Sequence, residues 1–283
     1  MGVKAFIPGK VYPAISITGN YCMLNCKYCE KHYLEGMIHA TTPTQLYHVA
    51  KNLYRHGARG LLLSGGFTSE GFIPIKPFLN VIKDIKKDFG LIISVHSGLV
   101  DKGLASKIRE SGVDIVDYQL IIDPIVIKDI QGLNKNPEDY IKSLEYLKKY
   151  GPPNIVPHIP LGLKHGLLSK EKEAIEILKD HSGELAVFLI FTPTKNTSME
   201  AFKPPEETTL LDLFNYAQNL KREIALGCMR PFSFKQNFDE VLIKDNLISR
   251  IAVPLKNVIK KYNMKVVNAC CSIPKEYFAM FGN

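Results

Sequence analysis

Short apolar runs recur about every 30 residues along the chain, and amphipathic stretches separate them. The runs lack apolar–polar alternation, so they predict strands buried on both faces, as in a parallel sheet. Strands that alternate with helices indicate repeated βα units. The predicted strands cover residues 14–18, 60–64, 91–96, 115–122, 155–159 and 185–191, and the clearest helices cover 75–87, 102–111, 136–149 and 170–181.

Six such units predict an α/β fold, a partial (β/α)6 barrel related to the TIM barrel, with a C-terminal extension. A proline-containing stretch from 192 to 205 follows the sixth predicted strand. We therefore expect a barrel core over residues 1–200 and an extension over residues 201–283. The extension has a predicted helix at 206–221 and a predicted strand at 224–227, and it either completes the barrel or packs beside it.

Composition favours an intracellular enzyme. Of the 283 residues, 46% are apolar and 23% are charged, which is typical of globular proteins. No apolar run reaches the ~18 residues that span a bilayer, and the N-terminus lacks the apolar core of a signal peptide. We therefore expect a cytoplasmic protein that does not bind membranes. The net charge of +8 attracts acidic partners, but no basic tract with interleaved aromatics indicates specific nucleic-acid binding.

Three cysteines near the N-terminus are the most informative feature. Cys22, Cys26 and Cys29 form a C-x3-C-x2-C pattern directly after the first predicted strand. Three thiolates this close can hold three irons of a [4Fe–4S] cube and leave the fourth open to a ligand. A zinc site would need a fourth protein ligand, and no second pair of ligands follows within the next 40 residues. The alternative is three buried or disulfide-bonded cysteines in a loop.

Further candidates lie where the predicted strands end, which is where barrel enzymes place their sites. Paired glycines in the segment Ser64-Gly65-Gly66-Phe67 allow close approach of backbone to a ligand, although a tight strand–helix turn would also explain them. His96 and Asp123 are predicted catalytic residues at the ends of strands three and four. Strand five brings His158 and Gly162 to the same edge. A single histidine such as His96 is also compatible with a purely structural role.

The three remaining cysteines are Cys228, Cys270 and Cys271. Together with one further donor, for which Ser272 and Arg230 are candidates, they would hold a second, auxiliary [4Fe–4S] cluster. Alternatively, Cys228 is a core residue and the adjacent pair is incidental. Adjacent residues in a strand point to opposite faces, so Cys270 and Cys271 cannot easily both be buried in the same core. Arg230 is also a candidate catalytic residue.

The N-terminal triad resembles the signature of the radical S-adenosylmethionine (radical SAM) superfamily, which favours an aromatic residue before the last cysteine, here Tyr28. The whole chain resembles an archaeal family of biotin-synthase-like radical SAM proteins. The matching segments run in order from residue 16 to residue 272: Ser16-Ile17-Thr18-Gly19, Leu63-Ser64-Gly65-Gly66, Val95-His96-Ser97-Gly98-Leu99-Val100-Asp101, Pro157-His158, Gly227-Cys228-Met229-Arg230-Pro231 and Cys270-Cys271-Ser272.

The resemblance implies a cofactor site as well as a fold, namely the partial barrel of the radical SAM type. Ser64, Gly65 and Gly66 would contact the methionine amino group of S-adenosylmethionine. Phe67 replaces the acidic residue of the superfamily's Gly-Gly-Glu motif, which leaves backbone contacts only. His158 and Gly162 would pack against the adenine.

The best-described members of this family resemble one half of a two-protein lipoyl synthase, a transferase of lipoate biosynthesis. That resemblance implies insertion of two sulfurs into an octanoyl chain on a carrier-protein lysine, a second radical SAM subunit and an electron donor such as ferredoxin. A biotin-synthase-like enzyme, or a methylase or mutase without a sacrificial second cluster, remains open. So does a non-enzymatic zinc or scaffold protein.

Overall fold

The structure is a computed structural model that describes residues 2–180 and 183–282. The described residues form one sheet of eleven strands. Parallel pairing agrees with the apolar runs of the sequence, because strands of a parallel sheet are buried on both faces. The strands are β1 Lys4–Phe6, β2 Ala14–Ser16, β3 Ile38–His39, β4 Gly60–Ser64, β5 Ile92–Val95, β6 Ile115–Gln119, β7 Asn154–Leu161, β8 Leu185–Ile190, β9 Glu223–Leu226, β10 Arg250–Ala252 and β11 Val266–Val267.

Helices follow most of the strands. The α-helices are α1 Pro43–Arg55, α2 Leu79–Phe89, α3 Lys102–Glu110, α4 Pro137–Tyr150, α5 Glu171–Lys179, α6 Glu207–Ala217, α7 Phe232–Gln236, α8 Phe238–Lys244, α9 Lys256–Lys261 and α10 Phe278–Phe281. Short 3₁₀ turns cover His32–Leu34, Lys76–Phe78, Gln218–Leu220 and Lys275–Tyr277, and a π-helix covers Val126–Ile130. The predicted end of the fifth helix at residue 181 lies outside the described residues.

Strand order confirms the parallel partial barrel. The sheet runs β11-β1-β10-β9-β8-β7-β6-β5-β4-β2-β3, and every ladder between named strands in the described residues is parallel. All six predicted strands are present, as β2 and β4 to β8. The C-terminal extension continues the same sheet through β9 and β10, so the sheet does not break near residue 200. The division into two domains there stays a prediction.

The sheet separates two apolar cores. Alternate strand residues pack outward against the helices, as Ile93 of β5 does in the cluster that also contains Leu104 of α3. The intervening residues pack inside the curved sheet, where Ile92, Ile115 and Val156 belong to a separate cluster. This division is the two-residue period of a strand. No helix in residues 2–180 and 183–282 is both long and apolar enough to cross a bilayer.

The C-terminal tail fills the interior of the curved sheet. Cys271, Ile273 and Phe281 belong to the inner cluster, although they follow the last strand. Arg250 of β10 fixes the tail, because its Nη1 donates to the carbonyl oxygens of Cys271 at 2.9 Å and Ile273 at 2.6 Å. The same guanidinium is paired with the carboxylate of Glu223 on β9. A buried ion pair therefore joins two strands to the tail.

Replacing Arg250 by methionine should lower the free energy of unfolding of the metal-free protein by about 3 kcal/mol, because the change leaves Glu223 and two tail carbonyls without this partner. The Arg250 side chain is 2% exposed and that of Glu223 is 20% exposed. Urea denaturation measures the change. Lys275→Met is the matched control, since this lysine contacts Glu223 at 3.6 Å but is 54% exposed. The control should cost under about 1 kcal/mol, and equal losses would contradict the assigned role of Arg250.

Candidate functional site

The loop that carries the first cysteine triad follows β2 and is held by backbone contacts from the segments that follow β4 and β6. The N–H of Met23 donates to the carbonyl oxygen of Phe67 at 2.8 Å, and the N–H of Lys27 donates to that of Ile130 at 2.9 Å. In return, the N–H of Phe67 donates to the sulfur of Cys22 at 3.3 Å. The loops after β4 and β6 thus position the triad, as expected at the carboxyl edge of a parallel sheet.

The three thiols influence one another electrostatically. Hydrogen bonding with Cys26 lowers the pKa of Cys29 to about 7, and the same bond raises the pKa of Cys26 well above its usual value. Burial raises the pKa of Cys22, and the neighbouring Cys29 raises it further. One thiol of the group is therefore already partly ionised near neutral pH, and thiolates are the form that binds metals.

This donor set fits an iron–sulfur cube better than a single ion. No three His, Cys, Asp or Glu side chains in the described part of the chain are placed to share one metal ion. A cube attaches each thiolate to a different iron, so its three ligands need not meet at one point. The contacts from the Cys22 and Cys26 sulfurs to carbonyl oxygens are long, at 3.9 and 3.8 Å, and a cluster can replace them. The residues present therefore fit the predicted [4Fe–4S] group.

The glycine pair after β4 packs against the triad. Gly65 has a φ of +155°, and a Cβ built on Gly66 would lie 2.1 Å from the carbonyl oxygen of Tyr21 and 2.5 Å from the Cα of Cys22. The N–H of Gly66 donates to Oγ1 of Thr18 at 2.7 Å. Gly66 is thus required first by the cysteine loop itself. A Cβ at Gly66 would therefore displace Cys22 as well as any ligand that approaches the turn.

Tyr28, the predicted aromatic of the motif, points into a hydrogen-bonded group behind Cys26. Burial raises the pKa of Tyr28, and Gln131 opposes the rise by hydrogen bonding to it. Tyr140 donates its hydroxyl to Oε1 of Gln131 at 2.7 Å, while the Gln131 carbonyl faces the Cys26 sulfur at 3.8 Å. Gln131 was not identified from sequence, because the π-helix that it directly follows is seen only in the structure.

The loop after β8 covers the other side of the triad. Oε1 of Glu30 accepts from the backbone N–H and hydroxyl of Ser198, and the hydroxyls of Tyr33 and Thr194 lie 3.0 Å apart. Burial raises the pKa of Tyr33, and thiols of Cys29 and Cys228 raise it further. Tyr33 therefore lies close enough to both cysteine sets to respond to each of them.

His96 lies inside the curved sheet and joins several of the predicted residues. Its Nδ1 lies 3.0 Å from Oγ of Ser64, and its ring centroid lies 6.3 Å from that of His158. Its Nε2 lies 4.0 Å from Oδ2 of Asp117, a residue that the sequence reading missed. Burial lowers the pKa of both histidines, that of His158 to about 4, so both are neutral at pH 7. They offer hydrogen bonds rather than positive charge.

Two predicted residues make structural contacts that the sequence did not reveal. Oδ1 of Asp123 accepts from the N–H groups of Ile125 at 2.7 Å and Val126 at 3.3 Å and so caps the start of the following helix, while its Oδ2 lies 4.0 Å from Nζ of Lys164. A catalytic role for Asp123 stays a prediction. Gly162 has a φ of +80°, and a Cβ there would lie 2.2 Å from Cγ of Pro205. Pro205 therefore occupies the space that we expected an adenine to approach.

The second cysteine set is brought together from distant parts of the sequence. Cys228 follows β9, whereas Cys270 and Cys271 belong to the tail inside the sheet. The thiol of Cys270 raises the pKa of Cys228, and those of Cys270 and Cys228 both raise that of Cys271. Cys228 is solvent-exposed, and desolvation by the surrounding protein is the main cause that raises the pKa of its thiol. The two predicted cysteines of the tail thus lie within electrostatic range of Cys228.

Arg230 is a structural residue, which corrects its assignment as a catalytic group or cluster ligand. Its Nε and Nη2 each donate to a carboxylate oxygen of Asp239 at 2.7 Å. Its Nη1 donates to the carbonyl oxygens of Gly227 and Ala252, both at 2.8 Å. Both side chains of the ion pair are fully buried. Four of the five N–H donors are therefore engaged, and the residue fixes the turn that carries Cys228.

Comparison with known proteins agrees with this site. A model of the family described as the radical SAM superfamily matches residues 16–180, which include the triad and the paired glycines. Among proteins of known function, the chain is similar to the lipoyl synthase of Alkaliphilus metalliredigens (strain QYMF), at 24% identity over 201 residues. The match covers 67% of this chain and 67% of that protein.

Solved structures show a similar fold. Methylornithine synthase (PylB) has a TM-score of 0.61 at 15% identity, over 90% of this chain and 73% of that one. HydG, a maturase of the [FeFe]-hydrogenase, has a TM-score of 0.67 at 14% identity, over 99% of this chain and 66% of that one. The curved parallel sheet with outer helices is therefore the partial barrel expected from the sequence.

Replacing Gly66 by alanine should prevent assembly of the triad's cluster, since the new Cβ would overlap the backbone of Tyr21 and Cys22. Iron and sulfide content after anaerobic reconstitution measures this. Gly36→Ala is the control, because Gly36 lies in the same inter-strand loop and a Cβ there meets no atom within 4 Å. A normal iron content in Gly66→Ala would contradict the close approach of the two loops.

His158 should make stability depend on pH between its unfolded pKa of about 6.5 and its folded pKa of about 4. Between these two values the His158 imidazole is protonated in the unfolded chain but neutral in the folded chain. The free energy of unfolding therefore falls as the pH falls. The wild type should lose about 2 kcal/mol more than His158→Gln between pH 7 and pH 5. Urea denaturation of both metal-free proteins at the two pH values tests this, and equal losses would show that His158 is not buried in neutral form.

Proposed function

The chain belongs to the radical SAM superfamily, and on that premise we propose that it inserts sulfur as one subunit of a lipoyl synthase. The substrate in this proposal is an octanoyl chain attached to a lysine of a carrier protein. Similarity to the lipoyl synthase of Alkaliphilus metalliredigens supports the class of reaction. Resemblance of the sequence to the archaeal two-protein enzyme supports the subunit role.

The observation that carries the proposal is the arrangement of the two cysteine sets. Cys29 belongs to the first set and Cys228 to the second, and Tyr33 responds to both. A reaction that activates a carbon at one cluster and supplies sulfur from another needs the two close to a shared substrate.

In the proposed reaction, separate residues would bind the first cluster, orient the cofactor and line the interior. The thiols of Cys22, Cys26 and Cys29 would hold the first [4Fe–4S] cluster, and the Gly65-Gly66 turn would orient S-adenosylmethionine beside it. When bound, these groups supply one-electron cleavage chemistry that activates an unreactive C–H bond. Neutral His96 and His158 would line the interior without repelling the sulfonium of the cofactor.

The proposed partners follow from charge and chemistry. A net charge of +8 suits a carrier protein with an acidic face, because complementary charge speeds the encounter and sets its orientation. The proposal also includes a second radical SAM subunit and a one-electron donor of the ferredoxin kind.

A radical SAM methylase or mutase without a second cluster is the competing function. One observation favours it: Arg230, a candidate fourth ligand of the second cluster, is fully engaged with Asp239 and two backbone carbonyls. Iron content distinguishes the two proposals, at about eight irons per chain with two clusters and about four with one.

Changing Cys228, Cys270 and Cys271 together to alanine should halve the iron content and abolish sulfur insertion, while reductive cleavage of S-adenosylmethionine continues. The reason is that the first cluster has its own three ligands. The assay uses an octanoylated carrier peptide under anaerobic conditions, with and without candidate partner proteins. Cys22→Ala is the matched control, which should lose cleavage. Full iron content or sulfur insertion in the triple variant would refute the second cluster and leave the methylase or mutase ahead.

A further inference from the structure

Most of the exposed apolar side chains lie at one edge of the sheet. Among the described residues, ten large apolar side chains are exposed, and seven of these follow the carboxyl ends of strands: Tyr21, Met23, Ile125, Leu167, Phe202, Phe232 and Val253. Apolar residues that are scattered singly over a surface need no explanation, whereas a group of them at one edge marks an interaction surface. The first cysteine triad and Cys228 lie at the same edge, so this surface borders the candidate site.

Three segments that follow neighbouring strands at this edge form a surface that we term the basic platform: residues 162–168 after β7, 191–205 after β8 and 227–236 after β9. The basic platform carries three of the exposed apolar side chains. Leu167 is 66% exposed, Phe202 is 39% exposed and Phe232 is 65% exposed. Each segment therefore presents one large apolar side chain to solvent.

The charges at this edge are unevenly divided. The basic platform contains one acid, Glu200, and its buried Arg230 is paired with Asp239; its lysines are Lys164, Lys195, Lys203 and Lys235. Lys164 lies 4.0 Å from the carboxylate of Asp123, whereas Lys195 and Lys203 are exposed. The segments after β2, β4, β5 and β6 have four lysines and six acids over residues 17–37, 65–75, 96–101 and 120–136. The excess of positive charge at this edge therefore lies on the basic platform.

Contacts between its segments hold the basic platform together. A Cβ on Gly166 would overlap the carbonyl oxygen of Lys203, so the segments after β7 and β8 pack without space for a larger residue at this point. The ring centroids of His165 and Phe202 lie 4.4 Å apart. The last residue of β8 donates its N–H to the carbonyl oxygen of Met229 at 2.8 Å, which joins the third segment. A surface that is fixed in this way loses little conformational entropy when a partner binds.

We propose that the basic platform docks an acidic face of the carrier domain, with Leu167, Phe202 and Phe232 as its apolar contacts and the lysines as the charges that orient the encounter. That this domain bears an octanoyl-lysine rests on the proposed function. Phe232 follows the exposed Cys228 by four residues, so a docked domain would present its modified lysine near the second cysteine set. A folded protein fits this surface better than nucleic acid, because Leu167 is aliphatic and has no ring on which a base can stack.

The test measures binding kinetics by surface plasmon resonance, between the full-length protein and a recombinant acidic carrier domain with and without its octanoyl group. Phe202→Ser and Leu167→Ser should each raise the dissociation rate about tenfold, because buried apolar contacts hold a complex after it has formed. Tyr54→Ser is the matched control, since Tyr54 is 40% exposed but lies near the end of helix α1, away from the carboxyl ends of the strands. The control should bind like the wild type.

The lysines should act on the other rate constant. Exchanging Lys195 and Lys203 together for glutamate should lower the association rate about tenfold at low ionic strength and leave the dissociation rate nearly unchanged. Added salt should reduce this difference, because exposed charges are screened. Lys83→Glu combined with Lys87→Glu makes the same change of net charge at exposed positions of helix α2 and should leave both rates near those of the wild type.

Equal kinetics in the platform variants and the wild type would overturn the inference, as would failure of the wild type to bind the domain. A short single-stranded RNA that binds the wild type but not the double lysine variant would assign the basic platform to nucleic acid and overturn it as well. Reductive cleavage of S-adenosylmethionine should be unchanged in every platform variant, since the first cysteine triad lies outside the basic platform.

Sulfur insertion into an octanoylated peptide without the carrier domain judges the proposed function separately. If the wild type inserts no sulfur, the proposed function fails, and the binding kinetics still decide whether the basic platform docks an acidic domain. If it inserts sulfur into the peptide while the platform variants bind the domain like the wild type, the docking inference alone fails.

Discussion

The close contact between the glycine turn after β4 and the cysteine loop after β2 is the constraint on which the site depends. At Gly66 the space for a Cβ is taken by the backbone of Tyr21 and Cys22, and the neighbouring N–H of Phe67 donates to the Cys22 sulfur. The turn therefore sets the position of the first thiol. A donor to a ligating sulfur also tunes the cluster that the sulfur holds. The turn that we propose to orient the cofactor thus also shapes the loop that carries the first cysteine set.

In the C-terminal half, two ion pairs position the segments that carry the second cysteine set. Arg230 with Asp239 fixes the turn that carries Cys228, and Arg250 with Glu223 fixes the tail that carries Cys270 and Cys271. Each guanidinium also binds two backbone carbonyls, so its geometry is defined in several directions. Removing two charged groups from water costs free energy, so such an ion pair serves mainly to specify one arrangement of the backbone segments that it joins. Here the arrangement brings distant cysteines within range of one another.

The sequence predicted the six central strands and the first triad because both are local signals. A buried parallel strand is one apolar run, and three cysteines in eight residues need no knowledge of the fold. The short strands β1, β3, β10 and β11 were missed because two or three residues are too few to show periodicity, whereas the equally short β2 lies within the longer predicted run 14–18. Asp123 and Arg230 were assigned to catalysis because a sequence shows which residue ends a strand but not which partner it meets. Asp123 caps a helix that begins directly after it but that the sequence pattern did not predict, and Arg230 pairs with Asp239 in a turn that only the structure shows.

Asp117 shows how a charged residue within an apolar strand can be interpreted. It stands in the run Ile115-Val116-Asp117-Tyr118, where a buried strand predicts a hydrophobic side chain. If the carboxylate served packing alone, selection would favour a residue of similar size without the cost of desolvation. Its neighbours are hydroxyls and a neutral histidine rather than a cation, so no ion pair offsets that cost. Because neither carboxylate oxygen has a hydrogen-bond partner among the described residues, this acid marks the interior of the curved sheet as a polar site rather than as a second hydrophobic core.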